Sequence, residues 1–348
     1  MAASPWDPAI LLGLPKAELH QHLDGALRPQ TALELALDAG LSLSLGEARR
    51  RMVAPERCAS QAELLAYFEL PIALLQTEAA LRRATAELVE DQSADGIRYS
   101  EIRWAPRLHL RAGLGVGEVI ASVVEGVRDA VARLGDRAPR IGLIVTAMRS
   151  DPPGANVALA RVAAAFGPPV VGFDLAGLEA EYPAPPHAAA FRAAEEGGLA
   201  LTAHAGEVAG PDRIREVLAF GVRRIAHGAT AIHDPEIMSL LRERDVTLDL
   251  CPTSNVQAAT FASLADHPLA ALHRSGISVT LSTDDRTVSA TTLTAEMARV
   301  AAAQGLSPAE LAEIAVNGFR RAFGPHAAAV ALAAEAERSW SAWAAAIS

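Results

Sequence analysis

The feature that most limits the fold is a repeated unit. Eight short runs rich in apolar and β-branched residues each end in glycine or a polar group, and each is followed by a stretch with helical periodicity. They are AELHQHL (17–23), IRYSEIRWAP (97–106), IGLIVTAM (141–148), VVGFDLAG (170–177), LALTAHAGE (199–207), RRIAHGA (223–229), TLDLCPTSN (247–255) and SVTLSTDD (278–285). Intervening stretches such as PDRIREVLAFG and DPEIMSLLRERD open on Pro or Asp, as helices do. Strand then helix, repeated, makes a parallel sheet. Eight such units predict a closed (β/α)8 barrel, the TIM-barrel class, rather than an open doubly wound sheet. The 348 residues are enough for that barrel with additions. No linker or solenoid period divides the chain, so residues 1–348 read as one domain.

Two segments exceed the basic plan. The gap of about residues 24–96 holds PQTALELALDAG, SQAELLAYFELPIALLQ and TEAALRRATAELVEDQSADG, far more than a usual βα loop. It predicts a helical lid inserted after the first strand, over the barrel mouth. After residue 286, LSPAELAEIAVNGFRRAF and HAAAVALAAEAERSWSAWAAAIS predict extra C-terminal helices.

Several function classes lose support. No GxGxxG follows the first strand and no GxxxxGK[ST] occurs anywhere, which removes the sequence basis for a dinucleotide or P-loop site. A formal charge of -10 argues against nucleic acid as a partner, because such binding needs clustered cations. Two cysteines, Cys58 and Cys251, are too few for a disulfide framework. The apolar run AILLGL near the N-terminus is too short for a signal core or membrane span. The expectation is a cytoplasmic protein without a membrane partner.

In such a barrel, chemistry sits where strands end at the C-terminal face. Those ends carry His20 and His22, His204 and Glu207, His227, and Asp284 and Asp285. Residues i and i+2 of a strand point the same way, so His20 and His22 both face the interior, either as a hydrogen-bonded pair or as two ligands of one ion. Alone, Glu207 also fits a first helical turn, and Ser, Thr and Asp of STDD also fit a helix cap. Together, the strand ends supply three imidazoles and a carboxylate with room for water. That donor set suits one catalytic Zn2+, and another divalent ion is compatible with it. Strand four ends in FDLAG, and the sole lysine, Lys16, precedes strand one, so no lysine is available to bridge a second metal. Cys251 reads as a buried strand residue, and the other six histidines as surface or packing residues.

With these residues in place, the chain resembles the adenosine deaminase family of the amidohydrolase superfamily. The carriers are PKAELHQHLDGAL (15–27), DLAG (174–177), TAHAGE (202–207), RIAHG (224–228), CPTSN (251–255) and STDD (282–285), in family order. The resemblance implies a metal held by His20, His22, His204 and Asp284. It implies Glu207 as proton shuttle at the purine ring, His227 as the residue orienting the attacking hydroxide, and Asp285 bonded to that oxygen or to ring N7. The backbone of Gly177 would meet ring N3, Asp24 the ribose 5'-hydroxyl, and Leu64, Leu65 and Phe68 the sugar side as an apolar lid. The implied reaction converts adenosine or 2'-deoxyadenosine to the inosine product and ammonia. Alternatives are a deaminase of adenine, 6-aminodeoxyfutalosine or a modified adenosine, and, from another class, a non-catalytic purine-binding protein. Two positions depart from the family pattern: Ala226 stands where glycine is usual and Arg286 where proline is common.

Overall fold

The computed structural model describes residues 5–324 and 326–347. Its eight strands are β1 (Lys16–His22), β2 (Ile97–Trp104), β3 (Arg140–Met148), β4 (Val170–Ala176), β5 (Ala200–Ala205), β6 (Arg224–His227), β7 (Thr247–Leu250) and β8 (Ser278–Leu281). They pair in chain order, all parallel. Between β8 and β1 the circle closes through one bridge, Gln21 with Asp284: the Asp284 amide donates to the His20 carbonyl at 2.9 Å and the His22 amide to the Asp284 carbonyl at 2.8 Å. The fold is the (β/α)8 TIM barrel that the eight repeats predict, with three further helices after β8 (Leu293–Gln304, Pro308–Arg320, His326–Ile347).

Helix formation follows local chemistry. In Val116–Leu134 the buried residues Val119, Ile120, Val123, Val124, Val127 and Ala130 recur at helical spacing, which gives the apolar stripe that packs on the barrel. Ser307 and Glu310 form a reciprocal capping box at the start of Pro308–Arg320, satisfying two amides a helix cannot satisfy itself.

Three details differ from the sequence expectation. The run TLDLCPTSN is a strand only to Leu250; Pro252 then opens the helix Pro252–Gln257, because its fixed φ and missing N–H suit the first helical turn. The insertion divides: four short helices (Pro29–Asp38, Leu45–Met52, Gln61–Ala66, Glu69–Leu74) are the addition, while Glu78–Ala94 packs against Val116–Leu134 as an ordinary outer helix. Lys16 is the first residue of β1 rather than a preceding one, and it is fully buried. Its ammonium donates to the carbonyls of Leu11, Leu12 and Leu14 at 2.9, 3.2 and 2.9 Å, closing the end of the N-terminal helix Pro8–Leu12.

The barrel interior holds ions as well as aliphatic side chains. Arg224 pairs with Asp249 at 2.9 Å and with Glu101 at 2.5 Å, and Arg103 with Asp174 at 3.3 Å, all shut off from solvent. Buried charge is tolerated only when paired in this way, and the Arg103–Asp174 pair reaches up to the functional face.

Candidate active site

The C-terminal rim brings together residues spread over most of the chain. His20 Nε2 lies 3.3 Å from His22 Nε2, which lies 3.2 Å from His204 Nε2. Asp284 Oδ1 lies 3.0 Å from His20 Nε2 and 3.3 Å from His22 Nε2. The four donor atoms all fall within 4.8 Å of one another. Zinc bonds of about 2.0–2.1 Å put neighbouring donors of a tetrahedron about 3.3 Å apart, so the spacing fits one cation of that size. Burial pushes His22 down to about 3, and burial with the nearby Arg103 guanidinium pushes His20 well below its ordinary value. The His20 and His22 imidazoles are therefore held in the neutral form that metal ligation requires.

The backbone invests strain here. His227 and Asp284 adopt φ of 65° and 63°, a left-handed region that side chains other than glycine rarely enter. The glycine after Asp24 has a steric reason: a Cβ on Gly25 would fall 1.8 Å from Asp285 Oδ1, so only glycine lets the Asp285 carboxylate pack against the turn Asp24–Ala26 that follows β1.

Around this centre lies a cavity lined on one side by His22, His204, Glu207, His227 and Asp284 and on the other by Gln61, Leu64, Leu65, Phe68 and Ile72 from the insertion. Asp24 and Gly177 also line it, and Gly177 holds φ 111°, open to glycine alone. Leu64 is buried and Leu65 is 37% exposed at the mouth. His20 and Asp285 are both buried at this face, and Asp285 Oδ1 and Asp24 Oδ1 have no hydrogen-bond partner among the described residues. Burial pushes Glu207 up to about 8, helped by the charges of Asp284 and Glu179. It pushes Asp24 up to about 6. His227 Nε2 stands 3.9 Å from Glu207 Oε2 and 3.7 Å from Asp284 Oδ2. Of the two departures, Ala226 is buried in β6 and does not line the cavity, while Arg286 turns away to pair with Asp95 at 3.4 Å.

Sequence reasoning missed the residues that orient these groups. Asp174 lies within 3.1 Å of His204 Nδ1, fixing the tautomer that leaves Nε2 free. Burial alone would raise its pKa, but His204 and Arg103 outweigh that and hold it well below the usual carboxylate range. Glu179 accepts from the amides of Gly206, Val208 and Ala209 at 2.9, 2.6 and 2.8 Å, shaping the loop that carries Glu207. Arg149 donates to the His204 carbonyl at 2.7 Å. Gln61 Nε2 donates to Glu207 Oε2 at 2.6 Å. The motif DLAG did hint at Asp174, a carboxylate inside an apolar strand; a lone Gln in a lid helix gives no such signal.

Known proteins resemble this chain in both sequence and fold. The adenosine deaminase family profile matches residues 15–338. Among individual relatives, the adenosine deaminase of Mycobacteroides abscessus is 38% identical over 330 residues, covering 89% of this chain and 91% of its own. That of Clostridium perfringens is 37% identical over 318 residues, covering 90% and 95%. Among solved structures, an adenine deaminase from Arthrobacter aurescens superposes with a TM-score of 0.86 at 27% identity, covering 93% of this chain and 98% of its own. A zinc-bound amidohydrolase from Burkholderia ambifaria gives 0.89 at 25% identity, covering 99% and 96%. Sequence, fold and the convergence of His20, His22, His204 and Asp284 lead to one assignment: the chain belongs to the adenosine deaminase family, whose members are metal-dependent aminohydrolases.

Proposed function

We propose that this protein hydrolyses adenosine and 2'-deoxyadenosine to inosine or 2'-deoxyinosine and ammonia in the cytoplasm, with one Zn2+ held by His20, His22, His204 and Asp284. The observation that carries the reading is that a cation-sized cluster of donors and a buried acid, Glu207, face the same small cavity. When bound, the ion lowers the pKa of a water molecule towards neutrality and so supplies a strong nucleophile.

The side chains do the rest. Attack at C6 of the purine breaks ring aromaticity and pushes electrons onto N1, so the reaction needs a proton there. Glu207, pushed up to about 8, is a carboxylic acid at neutral pH and donates to N1 as water adds. Its carboxylate then takes one proton from the added oxygen and delivers it to the amino group; the C6–N bond breaks to release ammonia, and the oxygen's remaining proton returns to the Glu207 carboxylate as the C6 carbonyl forms. His227 Nε2 holds the attacking water in line. Asp285, raised well above the carboxylate range by burial and by its neighbours Asp284 and Asp24, donates to N7 as a neutral acid. The Gly177 backbone meets N3, Asp24 the 5'-hydroxyl, and Leu64, Leu65 and Phe68 cover the sugar, excluding water.

Among the described residues the cavity lining includes no Arg or Lys, and a phosphate monoester without a cation would be poorly held beside Asp24 and Glu207. A nucleoside therefore fits better than a nucleotide. The test is turnover of adenosine, 2'-deoxyadenosine, adenine and AMP, followed by the ultraviolet change of the purine and by ammonia release. Adenosine is expected to exceed AMP in kcat/KM by about 100-fold or more, the cost of one unpaired buried charge. No turnover of any 6-aminopurine by metal-loaded enzyme would overturn the proposal.

A further inference from the structure

The motif CPTSN carries a residue that the deamination chemistry above does not use. Asn255 is fully buried in the helix Pro252–Gln257. Its side chain lies between two histidines: Nδ2 is 3.2 Å from His227 Nδ1, and Oδ1 is 3.1 Å from His267 Nε2. His267, which the sequence offers only as a packing residue, is 3% exposed, and its Nδ1 lies 3.3 Å from the backbone N–H of Leu269. We propose that Asn255 and His267 are positioning residues that fix the tautomer of His227, so that its ring presents an N–H, not a lone pair, to the active-site cavity.

The direction of every bond follows from one fixed hydrogen. The Leu269 amide can only donate, so His267 Nδ1 is bare. Burial pushes His267 down to about 3, so the ring is neutral and its single hydrogen is on Nε2. That N–H donates to Asn255, which therefore turns its carbonyl oxygen towards His267. The amide nitrogen at the other end of Asn255 has only hydrogens to offer, so it donates to His227 Nδ1. His227 then carries its hydrogen on Nε2, the atom facing Asp284 Oδ2 and Glu207 Oε2 at 3.7 and 3.9 Å. A backbone amide outside the cavity thus dictates, through two side chains, which ring nitrogen is protonated inside it.

Resting on the deamination reading, the consequence is a division of labour. A ring whose Nε2 already bears hydrogen donates a hydrogen bond to the attacking oxygen and orients it. It does not take that oxygen's proton, which leaves proton transfer to Glu207. The opposite tautomer would put a competing base 3.9 Å from the acid.

The test uses the full-length, metal-loaded enzyme labelled with 15N in histidine, with long-range 1H–15N correlation reporting which ring nitrogens are protonated. His227 is assigned by its loss in His227→Gln. The expected wild-type result is a bare Nδ1 and a protonated Nε2 on both His227 and His267. Asn255→Asp keeps the shape but turns the donor into an acceptor; the hydrogen should move to His227 Nδ1. Its kcat should fall by about 100-fold or more while KM changes less than about three-fold and metal content stays the same. His267→Gln retains an N–H for Asn255 and should recover most of the turnover that His267→Leu loses. A wild-type His227 protonated on Nδ1, or an Asn255→Asp enzyme with unchanged tautomer and turnover, overturns the proposal. The wild-type spectrum decides even if the variants do not fold. It also separates the two readings, since the expected tautomers in an enzyme that deaminates no 6-aminopurine uphold the hydrogen-bond chain and reject only the reaction.

Discussion

The amide of His22 donates to the carbonyl of Asp284 at 2.8 Å, and the imidazole of His22 lies 3.3 Å from the carboxylate of the same residue. The bridge that closes the barrel and the cluster of donor atoms are therefore one structure. A cation bound there clamps β8 to β1, so chelation should lower the thermal midpoint by about 5 °C or more, given that a ligand at 1,000 times its Kd adds about 4 kcal/mol. Differential scanning calorimetry with and without a chelator measures this. His22→Ala should start lower and show no further loss on chelation.

Gln61 reaches from the lid to Glu207 with a 2.6 Å hydrogen bond. Removing that donor in Gln61→Leu frees one carboxyl oxygen and loosens the acid. The expected result is a fall of about 10-fold in kcat/KM, the scale of one hydrogen bond, against about 1,000-fold or more for Glu207→Gln with its metal retained. Steady-state kinetics with metal analysis on both variants checks the ratio.

Asp174 acts on His204 from behind. Asp174→Asn keeps the shape but exchanges one acceptor oxygen for a donor beside His204 Nδ1. Metal affinity should drop by about 10- to 100-fold, the usual effect of losing such a partner. Competition with a chromogenic chelator gives the value, and an affinity equal to wild type would remove Asp174 from the site.

Lys16 makes stability depend on alkaline pH. Burial pushes its ammonium from 10.5 to about 8 in the folded chain, against a smaller opposing pull from Asp95. The unfolded chain binds the proton more tightly, so the cost of burying the charge is fully present below pH 8 and fades as pH rises towards 10.5. Relative to Lys16→Met, the wild type should gain about 3 kcal/mol across that window. Urea unfolding of both proteins at pH 7.5 and 10.5 tests it; a constant difference would contradict the assignment.

What was legible in the sequence depended on whether the signal was local. Strand cores and polar strand ends are local patterns, so all eight strands and the metal-ligand types at their ends could be read directly. The end of β7 could not, because CPTSN has a polar strand-end composition and only Pro252 marks the helix it opens. The lid ran on to residue 96 because Glu78–Ala94 has the same Ala- and Leu-rich pattern as the short helices before it; only its packing against Val116–Leu134 makes it an outer helix. Asp174, Glu179 and Gln61 work through partners 27 to 146 residues away, and a single polar residue carries no trace of a partner so distant. His267 was invisible for the same reason: its role exists only through Asn255.

His20, His22, His204 and Asp284 are expected to meet at one ion, and anomalous X-ray scattering from crystals of the purified enzyme tests this most directly. The predicted result is a single peak at the zinc edge, about 2.0–2.2 Å from each of the three Nε2 atoms and from one Asp284 oxygen. A peak bound by other residues, or none in enzyme that turns over adenosine, would contradict it.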